Sequence, residues 1–211
     1  LFLFEFAVVV VGVLVAQGLA NWVQARSERE EAGRLLDDLT VQVSEFRRDL
    51  NYWDRVGPCL RAHVSEIKRT AAGAGTMSAA QIGRPALPQP SRLNFSGDEW
   101  QKVRRLVPQE KSTSFTTLAG TIETYQAFIS DTAQQWAKLR LLDGNDGTPS
   151  PADRSQVRLA ATIIDNNIRW MMFQQRAGSA QTLATVGMAG DKRLPDSARF
   201  VDRCGLLTDW R

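Results

Sequence analysis

LFLFEFAVVVVGVLVAQGL, residues 1–19, decides how the rest of the chain is read. It holds one ionisable residue, Glu5, and apart from Gln17 it is otherwise apolar. A helix crossing a bilayer needs about 20 mainly apolar residues, so this stretch has the length of a span. Asn21 and Trp22 follow. Trp favours the membrane–water interface, so Trp22 is the expected interface anchor. The chain then turns charged, with Arg26, Glu28, Arg29, Glu30 and Glu31, and no proline interrupts it before Pro58. A transmembrane helix over residues 1–20 is therefore expected to run without a break into a long helix over 21–72.

The rival reading is a signal peptide, because Gly18 and Ala20 are small residues at −3 and −1 of a cleavage site. The apolar run exceeds the usual signal core of about 7–15 residues, which favours an uncleaved anchor. Leu1 is not a start methionine, so residues upstream are expected. Inside the span, helical geometry puts Glu5, Gly12, Ala16 and Ala20 on one stripe. Small residues four apart let a second membrane helix approach closely. A carboxyl in hydrocarbon needs a partner or a route to water. The stripe is therefore read as a face that docks another transmembrane helix, with snorkelling of Glu5 as the alternative.

Beyond the span about 190 residues remain, enough for one domain with a core. The chain of 211 residues is 43% hydrophobic and 23% charged, which excludes a largely disordered protein. A net charge of +3 with no basic block gives no reason to expect nucleic acid. The two cysteines, Cys59 and Cys204, lack metal-like spacing and form no CxxC. They fit one disulfide in an oxidising compartment, or else two unrelated buried thiols. Arg26, Arg29 and Arg34 after the span favour a cytoplasmic C-terminal side, and the cysteines favour a periplasmic one. The expectation is a periplasmic domain on a single-pass bacterial inner-membrane anchor.

Leu36, Leu39, Val43, Phe46, Leu50, Trp53, Leu60, Val64 and Ile67 recur in alternating steps of three and four, with only Gly57 missing its turn. That is a heptad seam. Gly57-Pro58 is expected to kink it, since proline removes a backbone donor. Residues 73–97 are rich in Gly, Ala and Pro and read as a connector, pinned by Ile82, Leu87 and Leu93. Asp98 reads as the cap of a short helix ended by Pro108. A second seam, Phe115, Leu118, Ile122, Tyr125, Ile129, Thr132, Trp136 and Leu139, predicts a helix starting near 112–114. LLDGNDGTPSP reverses the chain. A third helix opens at Ser150-Pro151 and carries Val157, Ala161, Ile164, Ile168, Met171, Gly178 and Thr182 inward. Helical structure is expected over 98–190, and a tail, 191–211, fixed across it by Phe200, Leu206 and Cys204. No segment alternates as a strand does. The fold class is all-α: one long kinked helix packed in an elongated antiparallel bundle of three to four helices. The helices after the first are too short to cover it all.

Catalytic chemistry finds no foothold. His63 is the only histidine and has no ligand-spaced neighbour, so no metal is expected. There is no nucleophile elbow and no phosphate-binding glycine pattern, and no cofactor is expected. The acids near residue 30 alternate with arginines as on a solvated helix face. Trp170-Met171-Met172-Phe173 is denser in large apolar groups than one seam needs, so Trp170, Met172 and Phe173 form a candidate partner surface.

Residues 5–39, EFAVVVVGVLVAQGLANWVQARSEREEAGRLLDDL, resemble the start of a family of small uncharacterised bacterial single-pass membrane proteins. In those, a Glu opens the span, Gly and Ala follow, and an Asn-Trp exit leads into an Arg/Glu-rich helix. Glu5, Gly12, Ala16, Asn21, Trp22 and Arg26 carry the likeness. Asp98-Glu99-Trp100 through Leu106, followed by a helix with Tyr125, is loosely similar to the family's second helical segment. The resemblance implies a topology and a helical exterior domain, and no activity. The connector and the cysteine pair have no counterpart in it.

These readings together predict a non-enzymatic accessory or scaffold subunit. It would stabilise a larger bacterial inner-membrane complex, with respiratory and photosynthetic assemblies as the hosts in view. Its partners would be the bilayer and other transmembrane subunits. The alternatives are a self-assembling homo-oligomeric coiled coil or channel, built from copies of itself, and an unrecognised sensor or hydrolase.

Overall fold

The computed structural model describes residues 2–89, 97–196, 198, 201–202 and 204–207, with side chains at all of these except 2–5, 7–9, 97–99, 102 and 146. Helix α1 spans Phe2–Ala72, and its 71 residues extend about 106 Å at 1.5 Å each. It continues through Gly57-Pro58 as one helix. A short turn α2 (Ala79–Ile82), α3 (Gly97–Leu106), α4 (Gln109–Leu139), α5 (Pro151–Phe173) and α6 (Ala180–Thr185) follow. No strand forms among the described residues, only the isolated bridges Pro85–Leu206 and Val201–Leu207. The chain is all-helical in class.

The body begins near Ala32 and is built on the two expected seams. Leu39, Val43, Phe46, Leu50, Trp53, Leu60, Val64 and Ile67 of α1 are buried, with Leu36 partly so. On α4 every seam residue from Phe115 to Leu139 is buried. α5 lies between the two and approaches both backbones closely, whereas α1 and α4 meet through large side chains. Arg61 pairs with Asp165 at 2.6 Å and Arg176 with Asp54 at 2.9 Å, so α5 runs antiparallel to α1. Trp53 Nε1 donates to the Tyr125 hydroxyl at 2.7 Å, and His63 stacks beside Trp136, so α4 runs parallel to α1.

Gly57, the gap in the first seam, is a notch. A Cβ there would lie 2.6 Å from Met172 Sδ and 3.5 Å from Ile168 Cγ2, so α5 presses into α1 at this point. Met172 is consequently buried.

Helix ends follow local chemistry. Ser150 caps α5 with a reciprocal box: its hydroxyl accepts from the Asp153 amide at 3.1 Å, and Asp153 Oδ2 accepts from the Ser150 amide at 2.9 Å. The Ser150 hydroxyl, donating to Asp153 Oδ2 at 2.7 Å, and then the Ser150 amide lower the Asp153 pKa. The end of α1 is closed by α5. Arg154 donates to the carbonyls of Gly73, Ala74 and Gly75 at 2.9, 3.1 and 2.7 Å, and Arg158 donates to Ala71 at 3.2 Å. Cations suit the negative end of a helix dipole.

Two expectations are displaced. α4 starts at Gln109, earlier than 112–114, because Pro108 serves as its first flanking residue. The third helix does not run on regularly past Phe173. A π-turn over Gln174–Gly178 adds one residue to the turn, and the buried positions move to Leu183 and Val186. Thr182 is therefore only half-buried, and Gly178 lies against the Gln174 side chain. Leu93, the Asp98 cap and Phe200 lie outside the described residues or side chains.

Candidate functional site

Two regions stand apart from ordinary packing: the lower part of α1, and the cap that the connector and tail form over the α1–α4 face. In the first, every residue from Val10 to Glu30 is exposed. Val11, Leu14, Val15, Leu19, Trp22 and Val23 are 53–65% exposed and share one half of the helix surface, while Val10 and Val13, 39% and 50% exposed, lie on the other half with Gln17 and Asn21. Gly12, Ala16 and Ala20 of the expected docking stripe are exposed, and nothing lies within 4 Å of a Cβ built at Gly12 or Gly18. Glu5 lies outside the described side chains. The Arg26 guanidinium sits 5.8 Å from the centre of the Trp22 ring, and Arg26 also pairs with Glu30 at 3.0 Å. Among the described residues no helix is long and apolar enough to cross a membrane. The apolar stretch has residues 1–5 and 7–9 outside that description.

Above Val23 the helix stays polar on every side up to Glu31, with Gln24 bonded to Glu28 one turn on. Such a helix needs no apolar cover. The segment between the apolar stretch and Glu31 is a bare stalk of about 10 Å, seven residues at 1.5 Å each.

The second region is held by ring donors. The connector has no periodic pattern, yet aromatic and imidazole groups of α1 and α4 engage its carbonyls one after another. His63 Nε2 lies 3.0 Å from the Ile82 oxygen, and Trp136 Nε1 donates to Gly83 at 3.0 Å. The Tyr52 hydroxyl bonds Ala86 at 3.1 Å, and the Tyr125 hydroxyl bonds Pro88 at 3.2 Å. His63 is thus a half-buried structural donor in its Nε2–H form. The tail then pairs with the connector: the Ala86 amide donates to Gly205 at 2.9 Å and the Leu207 amide to Arg84 at 2.8 Å.

Cys59 and Cys204 are joined as a disulfide across 145 residues of sequence, with Cα atoms 4.9 Å apart. Asp202 Oδ1 shapes the adjoining turn by accepting from the Cys204 and Leu206 amides at 2.8 and 3.0 Å. Gly205 completes it at φ +77°, where a Cβ would stand 2.6 Å from the Tyr52 hydroxyl. The expected anchor Leu206 packs partly buried on the core.

Beside this cap lies a buried acid that the seam pattern does not flag. Asp49 is 4% exposed, and its Oδ2 has no hydrogen-bond partner among the described residues. Burial, then Glu45, raise its pKa to about 8, and Arg48 opposes them. Tyr52 and Tyr125 are also pushed up, chiefly by burial.

Of the candidate partner surface, Trp170 and Phe173 lie three residues apart on one face of α5, and Met172 lies off it. Phe173 is 56% exposed, Trp170 is half-buried with its ring 4.7 Å from that of Phe128, and Met172 is turned inward onto Gly57. Consecutive helical residues point about 100° apart, so one face cannot present all three. Among the described residues no three His, Cys, Asp or Glu side chains gather as a metal site would require. Comparisons with protein-family models, curated proteins and solved structures find no match for this chain.

Proposed function

We propose that this chain is a non-enzymatic, membrane-anchored accessory or scaffold subunit of a bacterial inner-membrane complex. In this reading α1 crosses the bilayer once, and α1, α4 and α5 form an elongated bundle on the periplasmic side, with α5 antiparallel to the other two. The observation that carries it is the lower part of α1, where from Val10 to Val23 exposed apolar side chains are interrupted only by Gln17 and Asn21 and, among the described residues, no other element covers them. An uncharged helix that exposes this many large apolar side chains without cover from its own chain belongs in an apolar medium. The abrupt change at Gln24, with Trp22 just below it, fits the edge of such a medium. The disulfide supports an oxidising compartment for the body.

The open backbone at Gly12, with Ala16 and Ala20 along the same face, supports contact with another membrane helix. Purification in mild detergent from the native membrane tests this. Stoichiometric foreign subunits are the expected result, and Gly12→Leu is expected to strip them away. A lone monomer in the detergent extract overturns the reading. Discrete multiples of the chain alone would favour a homo-oligomer. Thiol labelling of the native protein without reductant is expected to leave Cys59 and Cys204 unmodified. Labelling of both before denaturation would rule out the periplasmic assignment.

A further inference from the structure

A groove of about 530 Å³ lies between the connector and the second half of α4. It falls within the 300–1,000 Å³ range of typical ligand sites. Its floor is small and apolar, with Ala133 and Ala137 of α4 facing Pro85 and Leu87 beside the Trp136 ring. The exposed Arg84 guanidinium lines it, Arg140 at its end is engaged elsewhere, and no carboxylate lines it among the described residues.

One wall is an extended backbone with an open edge. Arg84 and Ala86 turn their peptide groups to the tail, as the bonds Leu207 to Arg84 and Ala86 to Gly205 record. Peptide groups alternate sides along an extended chain. The Pro85 carbonyl and the Leu87 amide therefore face the other way, where Gly83 already accepts from Trp136 of α4. Neither takes a hydrogen bond among the described residues. An acceptor and a donor two residues apart on one edge are what an added strand pairs with.

The geometry points to an extended acidic peptide as the occupant of this groove, added as a strand along Pro85–Leu87. Its alternate small apolar side chains rest on Ala133 and Ala137, and its carboxylates face Arg84. This goes beyond the scaffold reading and does not depend on it, because the groove lies wholly in the body. It gives the body a recognition surface of its own.

The test uses the full chain in detergent and a fluorescein-labelled heptapeptide alternating Glu and Val. Saturable anisotropy is expected. Ala133 and Ala137 are exposed, so substitution there spares the core. Ala137→Leu fills the floor and is expected to weaken binding about tenfold, as is Arg84→Glu. The same peptide with Lys for Glu, and one N-methylated on the pairing edge, are expected not to bind. Absence of saturable binding overturns the proposal. Equal binding of the Lys or N-methyl peptide, or indifference to Ala137→Leu, overturns it too.

Discussion

Asp49 is the residue at which this fold works against itself. Its carboxyl is buried with one oxygen unsatisfied among the described residues, and burial pushes its pKa up to about 8. An unfolded Asp titrates near 3.9, so between about pH 4 and 8 the folded chain binds one more proton than the unfolded chain. Stability from this group is therefore greatest at low pH and is lost as pH rises towards 8, the reverse of the usual carboxylate. Urea unfolding at pH 5, 7 and 9 is expected to show that fall, and Asp49→Asn is expected to flatten it. A second residue-scale constraint sits at Gly205. Alanine there meets both the φ of +77° and the Tyr52 hydroxyl. Gly205→Ala is expected to cost about 1–3 kcal/mol. Adding Tyr52→Phe is expected to cost less than its effect alone, because it relieves the clash, and a double-mutant cycle reads that coupling directly.

At the scale of elements, what the sequence made legible was whatever repeats. The α4 seam from Phe115 to Leu139 is buried at every position, and Ser150-Pro151 opens α5 as its residue types require. What could not be read was contact between dissimilar segments. Gly57 looked like a lapse in a heptad and is a socket for Met172, a role that only the partner helix defines. The π-turn at Gln174–Gly178 shifts the register by one residue, and no composition signal marks it. The connector carbonyls are held by Tyr52 and His63, which lie off the first seam, and by Tyr125 and Trp136, whose seam positions announced packing but not their polar ends. The end of α1 depends in the same way on Arg154, which lies 79 residues beyond the Gly75 carbonyl it holds. Arg154→Ala removes a charged cap worth about 2 kcal/mol. Hydrogen exchange is expected to quicken at residues 68–75 while the middle of α1 stays protected.

At the scale of the whole molecule, the chain divides into a body that begins near Ala32 and a lower helix that contributes nothing to it. Deleting residues 1–30 is expected to leave the unfolding midpoint of the body unchanged within about 0.5 kcal/mol. The disulfide acts on the body instead. It closes a loop across 145 residues, and its loss through Cys204→Ser is expected to cost about 2–5 kcal/mol. Limited proteolysis is expected to clip the tail of that variant first.

Because α1 is one unbroken helix from the apolar stretch into the core, the molecule behaves as a shaft with a key at its upper end. Azimuth and height are coupled along such a shaft. One residue inserted between Gln24 and Glu30 turns the body by about 100° and lifts it by about 1.5 Å, with both ends still folded. Seven inserted residues return it to within about 20° of its original facing, some 10 Å higher. An assembly that reads the direction the body faces will reject the first insertion and accept the second. One that needs only a tether will accept both.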